Sequence, residues 1–382
     1  MAHNVTLKQS PLELLINNTE IDHIARAILD NSPAVPRVFA EIHVTDHCNS
    51  ACRFCNQRTA RRRESEMAPS MFEHVIKDLS YIGLRGVRLS GGGEPTAHPQ
   101  FIELLRILRQ NRIQLVNIDT NGLLLGNKMR KAVLNCKPRT VHISLLAPDG
   151  KRWSQETGIH RYKYRSLISN VEALVKEAES TATRVEVSFV IDEITYDTIP
   201  KMEDLANKLG VDFFIHDLNS YSYSRHFLDH CIPVVNAALN HIHEDTVRRR
   251  FYIKNLTRLE LARKRLAGIN AQRPKELPTV CLAPWCATMI RPDGTIFPCC
   301  AIMDLKNPLS SIGMLPLREI CTSQRFLKMQ EEARQLFLFK QAESEPLQIL
   351  NTRCIGRCGP KEGLYSHPAL SQRLLQSEGS AP

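Results

Sequence analysis

The sequence predicts an α/β chain: a parallel sheet of six strand-helix units, followed by a small cysteine-rich unit built from a hairpin and a helix. Three observations lead there. Apolar, β-branched runs alternate with helix-period stretches from residue 38 to 217, the pattern of a parallel sheet with crossover helices. Cysteines cluster around a hairpin signal between residues 276 and 365. The chain has 382 residues, 43% hydrophobic and 24% charged, which is an ordinary soluble composition and enough length for more than one core.

In chain order, residues 1–37 read as a helical extension with an amphipathic helix around Ile21 to Leu29. Strands are expected at Phe39 to Val44, Gly86 to Leu89, Leu115 to Thr120, Thr140 to Leu145, Arg184 to Val190 and Asp212 to Asp217, within a unit spanning 38–219. Residues 220–275 form a helical, basic insertion in which Tyr221, Tyr223, His226, His230, His241 and His243 serve helix packing more readily than a substrate pocket. The cysteine-rich unit covers 276–365, and 366–382 is a polar tail.

The net charge of +10 comes largely from Arg58 to Arg63 and from a helical pattern of Arg248, Arg249, Arg250, Lys254, Arg258, Arg263, Lys264 and Arg265. A solvated basic face accounts for the second group, and no RNA-binding module accompanies it, so nucleic acid is not an expected partner. No stretch has the apolar length of a membrane span, and Met1 to Ser10 lacks the order of a signal peptide. The expectation is a cytoplasmic protein, where 12 cysteines point to metal or redox chemistry rather than disulfides.

The most specific stretch is His47-Cys48-Asn49-Ser50-Ala51-Cys52-Arg53-Phe54-Cys55. Three thiols spaced C-x3-C-x2-C leave a four-iron cluster one ligand short, and a cluster closed by protein normally takes four. A zinc site is the alternative, but zinc ribbons pair two C-x2-C knuckles, and here only His43 and His47 stand nearby. Ser90-Gly91-Gly92-Gly93-Glu94-Pro95 follows Cys55 by about 35 residues, directly after the expected strand Gly86 to Leu89.

This combination resembles the radical S-adenosylmethionine (SAM) superfamily, whose three-cysteine loop also carries an aromatic residue before its last cysteine, as Phe54 precedes Cys55. The resemblance implies a partial (β/α)6 barrel of TIM type, with active-site residues at the C-terminal ends of the strands. It implies that Cys48, Cys52 and Cys55 hold a 4Fe-4S cluster whose open iron takes the amino and carboxylate groups of SAM. Glycines at 91 to 93 let the backbone approach the methionine ammonium, with Glu94 beside that turn and Phe54 near the adenine. Strand-end position adds Asn121 and Ser144 as cofactor-binding candidates, although Asn121-Gly122 is also an ordinary turn pair.

Farther on, Cys281-Leu-Ala-Pro-Trp285 precedes a hairpin whose arms, Met289-Ile290 and Thr295 to Phe297, flank Arg291-Pro292-Asp293-Gly294 and end at Cys299-Cys300. A helix around Leu317 to Ile320 and the pair Cys354 and Cys358 follow. This part resembles the SPASM and shorter twitch extensions of radical SAM enzymes, the single-cluster twitch being the better match because only Cys354 and Cys358 stand in the second half. On that resemblance Cys281, Cys299, Cys354 and Cys358 ligate one auxiliary 4Fe-4S cluster, with Cys300 the rival to Cys299. A structural zinc site is the alternative.

The resulting expectation is a radical SAM oxidoreductase or epimerase acting on a small polar molecule: a carbohydrate, aminocyclitol or nucleoside. A 5'-deoxyadenosyl radical abstracts hydrogen, and a base or a thiol then decides between oxidation and inversion. Asp192, His216 and Asp217 are base candidates by strand-end position, and Cys286 and Cys300 are hydrogen-donor candidates beside the auxiliary cluster. The resemblance also implies an electron donor such as flavodoxin or ferredoxin. The alternatives are a radical SAM maturase for peptides or proteins and, without enzyme activity, an iron-sulfur scaffold or electron-transfer protein.

Overall fold

The computed structural model describes residues 10–32, 35–55, 57, 64–217, 224–242, 246–269, 280–299, 308–313, 315–337, 348–349, 352–353 and 367–376. Two helices, α1 (Pro11–Leu15) and α2 (Ile21–Leu29), lead into strand β1 (Phe39–His43). α1 starts at a capping box, in which Ser10 accepts from the Glu13 N–H and Glu13 accepts from the Ser10 N–H.

Five strand-helix repeats follow, each strand pairing in parallel with the one before it. They run α3 (Pro69–Tyr81), β2 (Gly86–Ser90), α4 (Phe101–Gln110), β3 (Gln114–Thr120), α5 (Asn127–Asn135), β4 (Thr140–Ser144), α6 (Gly150–Thr157), α7 (Lys163–Ala178), β5 (Arg184–Ile191), α8 (Ile199–Leu209) and β6 (Asp212–Asp217). The six expected strands lie where the alternation places them, and their unbroken order is that of a partial (β/α)6 barrel.

Alternation along each strand sends two kinds of side chain to opposite faces. Val87, Leu89, Ile118, Val141, Ile143, Val187 and Phe189 are fully buried in one continuous core with Phe72, Leu104, Leu167 and Met202 of the helices. The other face is polar: Glu41, Arg88, Asp119, His142, Glu186 and Ser188 meet across neighbouring strands, and His43 meets Glu41 within β1.

The cysteine-rich unit continues the same sheet. A short helix α11 (Ala283–Cys286) leads into β7 (Ala287–Ile290), which pairs in parallel with β1, and β8 (Thr295–Phe297) and β9 (Ser310–Ser311) extend the sheet antiparallel. Nine strands therefore form one sheet, in the order β6-β5-β4-β3-β2-β1-β7-β8-β9. Arg37, buried before β1, joins the two parts by donating to the carbonyls of Pro284 at 2.7 Å and Ala287 at 2.5 Å. Its guanidinium also lies 4.1 Å from the Phe326 ring centroid. Phe326 belongs to α13 (Gln324–Phe337), which follows α12 (Leu317–Thr322).

Between β6 and α11 the described residues form two helices, α9 (Arg225–Asn240) and α10 (Thr246–Leu266). Asn255 of α10 donates to the Ile215 carbonyl at 3.0 Å, covering the β6 edge. His226, His230 and His241 are exposed, and the rings of the first two lie tilted to each other with centroids 4.2 Å apart. Tyr221, Tyr223 and His243 lie outside the described residues. The stretch expected as a polar tail contains α14 (Pro368–Gln376), which packs Leu370 and Leu374 fully buried against α2. A two-stranded ribbon, β10 (Gln348–Ile349) and β11 (Thr352–Arg353), completes the described elements. Among the described residues no helix is long and apolar enough to cross a membrane.

Candidate active site

The three thiols stand on the loop that leaves the C-terminal end of β1. Cys48, Cys52 and Cys55 are each half-buried, and Phe54 packs partly against the core. The loop stem is closed by backbone bonds from Asp46 N–H to Ser65 O (2.8 Å) and from Met67 N–H to Val44 O (2.9 Å).

Each neighbouring strand end then grips the loop. After β2, the Gly93 and Glu94 N–H groups donate to the carbonyls of Thr45 (3.0 Å) and His47 (2.8 Å). A Cβ built on Gly93 would fall on the His47 carbonyl, and one on Gly92 would sit 2.6 Å from an Asp46 carboxylate oxygen. The glycines therefore let two backbones close on each other, which side chains forbid. After β3, the Asn121 amide donates to Asn49 Oδ1 at 2.6 Å. The end of α6, after β4, accepts from the loop, Ala51 N–H to Thr157 O at 2.7 Å and Arg53 N–H to Glu156 O at 2.8 Å. After β5, buried Asp192 pairs with the Arg53 guanidinium, which also reaches Glu156.

Glu94 is buried and held by the scaffold: it accepts from Thr120 Oγ1 at 2.6 Å, Asn121 N–H at 2.7 Å and Thr96 N–H at 3.2 Å. Burial pushes its carboxyl up, against these donors, which pull it down. Its side chain fixes the ends of β2 and β3, so any part it plays toward a cofactor passes through the loop it holds. Asn121 touches the cysteine loop directly, and Ser144 ends β4 half-buried.

Other expectations are corrected. Asp192 is not a poised base: its Oδ1 accepts from Ile194 N–H (2.8 Å), Thr195 N–H (3.0 Å) and Thr195 Oγ1 (2.9 Å), and its Oδ2 pairs with Arg53. It clamps the cysteine loop. Burial also pushes Glu156 up, with the nearby Asp192 charge adding to the effect. Cys286 precedes β7 and so lies at the opposite end of the sheet from the cysteine loop, where burial pushes its thiol up to about 12 beside Arg37. A thiol there does not face the strand ends. The side chains of His216 and Asp217, and Cys300, lie outside the described residues.

Cys281 and Cys299 flank the hairpin at its open end, one before α11 and the other after β8. Cys354 and Cys358 lie outside the described residues. Among the described residues no three His, Cys, Asp or Glu side chains gather tightly enough to hold a single metal ion. The donor set of the cysteine loop nonetheless fits an iron-sulfur cluster: three soft thiolate sources on one half-buried loop, beside backbone freed of side chains.

The family model for the radical SAM superfamily matches residues 42–206, and the model for an iron-sulfur cluster-binding SPASM domain matches 281–352. The chain belongs to the radical SAM superfamily, with a C-terminal SPASM domain. These radical SAM and SPASM units bring S-adenosylmethionine, its 4Fe-4S cluster and an auxiliary cluster. The SPASM match ends just before Cys354.

Among similar proteins, a probable GTP 3',8-cyclase of Methanothermobacter marburgensis is 26% identical over 301 residues, 75% of this chain and 92% of that protein. A probable GTP 3',8-cyclase of Sulfurisphaera tokodaii is 26% identical over 196 residues, 50% of this chain, and the match spans only 56% of that relative's length. Of solved structures, Streptococcus suis SuiB bound to its precursor peptide SuiA aligns with a TM-score of 0.59 at 18% identity, covering 97% of this chain and 84% of that one. The structure of anSMEcpe with bound AdoMet gives 0.58 at 14% identity, covering 89% and 96%. Both share the fold.

Strand-end reasoning missed the polar face of the barrel. Arg88 of β2 pairs with Asp119 of β3 and lies 3.7 Å from Glu41 of β1, which meets His43 Nε2 at 3.2 Å. On β4, His142 Nε2 lies 2.8 Å from Ser188 Oγ and Nδ1 lies 3.5 Å from Glu186, both on β5. The signal was present as polar residues at every second position: Glu41 and His43, Arg88 and Ser90, His142 and Ser144, Glu186 and Ser188.

Proposed function

We propose that this radical SAM protein removes a hydrogen atom from a small polar substrate, a nucleoside, carbohydrate or aminocyclitol, and that the outcome is oxidation or epimerisation. The ionic and hydroxyl-bearing face of the barrel carries this reading, because a lumen lined by Glu41, Arg88, Asp119, His142 and Glu186 suits a ligand rich in hydrogen-bonding groups and penalises an apolar one. Similarity to GTP cyclases favours the nucleoside end of that range.

When bound, SAM and its cluster supply a 5'-deoxyadenosyl radical for the abstraction. The chain's own residues set the rest. Cys48, Cys52 and Cys55 would hold the cluster, the backbone of Gly91 to Gly93 would receive the methionine end, and Phe54, Asn121 and Ser144 would border the nucleoside end. Oxidation needs a base for the substrate's hydroxyl proton, and His142 takes that role here, oriented by Ser188 and Glu186. Cys281, Cys299, Cys354 and Cys358 would hold an auxiliary cluster, which would supply a one-electron acceptor, and a flavodoxin- or ferredoxin-type protein would be the electron source for the SAM-binding cluster.

The test is anaerobic reconstitution with iron counting and a dithionite-driven assay for 5'-deoxyadenosine, on wild type and on the Cys48, Cys52, Cys55 triple-Ala variant. We expect about eight irons per chain falling to about four, with loss of 5'-deoxyadenosine. Retained cleavage in the triple variant overturns the cysteine assignment. Stimulation of 5'-deoxyadenosine formation by nucleotides or sugars supports the substrate class; stimulation by peptides alone replaces it with the maturase reading.

A further inference from the structure

One contact crosses the chain from the SPASM hairpin to the cysteine loop. Arg291 follows β7 at the hairpin turn, where its N–H donates to Thr295 O at 2.9 Å and Gly294 adopts φ +80°. Its guanidinium reaches 2.5 Å from Asp46 Oδ1, and both side chains are 0% exposed. Asp46 is the residue at which the cysteine loop begins, bonded across the stem to Ser65. Gly92 lies directly over the pair: a Cβ there would stand 2.6 Å from Asp46 Oδ1 and 3.5 Å and 3.6 Å from the Arg291 Nη atoms. Three segments thus meet on one buried ion pair: the stem of the cysteine loop, the glycine loop and the tip of a hairpin from the C-terminal domain.

A buried carboxylate left without its counter-charge is strongly unfavourable, whereas neutralising both partners together is far less so. Without Arg291 the Asp46 carboxylate under Gly92 would keep the Ser65 N–H at 3.4 Å but lose its counter-charge. We propose that Arg291 is a positioning residue of the SAM site, fixing the cysteine loop against the glycine loop through Asp46, so that the C-terminal domain completes a site otherwise built by the barrel. The inference rests on reading those two loops as the SAM site. It gives the hairpin two tasks at its two ends: Cys281 and Cys299 at the open end serve the auxiliary cluster, and Arg291 at the tip serves SAM.

The experiment is equilibrium dialysis of labelled SAM against the iron-loaded full chain without reductant, so that binding is read without turnover. Iron content and Tm are measured on the same samples. The variants are Arg291→Lys, Arg291→Gln and the neutral pair Asp46→Asn with Arg291→Gln. Arg291→Gln is expected to weaken SAM binding at least tenfold, and Arg291→Lys less. The neutral pair should recover most of the lost Tm while binding SAM several-fold more weakly than wild type, a split that a purely structural role does not give.

Binding by Arg291→Gln within twofold of wild type overturns the proposal. If that variant does not fold, the neutral pair decides: wild-type affinity overturns the proposal, and weakened affinity at restored Tm supports it. Wild-type chain that loads iron yet binds no SAM overturns the reading of the site itself, a result distinct from unchanged binding in the variants.

Discussion

Gly93 has no room for a methyl group, because the His47 carbonyl occupies the place a Cβ would take and that carbonyl is backbone. Gly93→Ala must therefore push the glycine loop away from the cysteine loop. Misplacement by about 1 Å near reacting groups costs on the order of 100-fold in rate, so that is the expected loss of 5'-deoxyadenosine formation in the iron-loaded variant. Gly126→Ser, at a position with nothing within 4 Å of a built Cβ, is the control and should leave the rate unchanged. A Gly93→Ala rate within twofold of wild type would sink the argument. The glycine loop and the cysteine triad were legible in the sequence because each is a local pattern whose chemistry demands those residue types. Asp192 and Arg53 were not legible as a pair, since they lie 139 positions apart and only the folding of β5 beside the cysteine loop brings them together. A strand-end rule finds Asp192 but cannot tell a base from a clamp.

At the scale of elements, the six parallel strands were readable because a buried strand must be apolar toward its helices, and that periodicity survives in any one segment. The parallel pairing of β7 with β1 was not readable, since pairing partners leave no mark in either strand alone. The turn between β2 and α4 shows how finely such a junction is tuned. His98 is buried there, its Nε2 3.0 Å from the Met67 carbonyl and its Nδ1 accepting from the Gln100 N–H at 3.1 Å. Those partners fix the neutral ring with its hydrogen on Nε2, because a proton on Nδ1 would face the Gln100 donor. Burial lowers the His98 pKa below the ordinary histidine value of about 6.5. The unfolded chain then binds the proton more readily than the folded one, so stability attributable to His98 is full above the unfolded pKa and is lost as pH falls through it toward the folded value. Thermal unfolding at pH 8 and at pH 5.5 should show a smaller acid-side drop for His98→Gln, whose amide still donates to Met67 but does not titrate. Equal drops in the two proteins would mean that His98 stays neutral for no energetic reason, or is charged in the fold.

For the whole molecule, the sheet joins what the sequence divides. A barrel and a cysteine-rich unit read as separate patterns, yet β7 extends the barrel's own sheet, Arg37 binds α11 from below, and Arg291 meets Asp46 at the strand ends. The ends of the chain are joined as well: α14 lies on α2, an arrangement hidden by the polar composition of residues 366–382, in which Leu370 and Leu374 are the i, i+4 pair that marks a buried helix face. The exposed ion pair between Arg373 and Asp22 contributes little to that contact, and removing it should leave Tm unchanged. The apolar contact is what holds the ends. Leu374→Ala creates a cavity against α2 and should destabilise the chain by about 2–5 kcal/mol, read as a lower urea midpoint with an unchanged m-value. Because Glu20, at the start of α2, pairs with Arg85 just before β2, at the end of the strands opposite the cysteine loop, SAM affinity of the folded, iron-loaded variant should stay within twofold of wild type. A Leu374→Ala chain as stable as wild type would show that α14 does not dock on α2 in solution. Loss of SAM affinity at retained fold would show that the clasp between the chain ends reaches the site, and that the barrel is less rigid between its two ends than its continuous core implies.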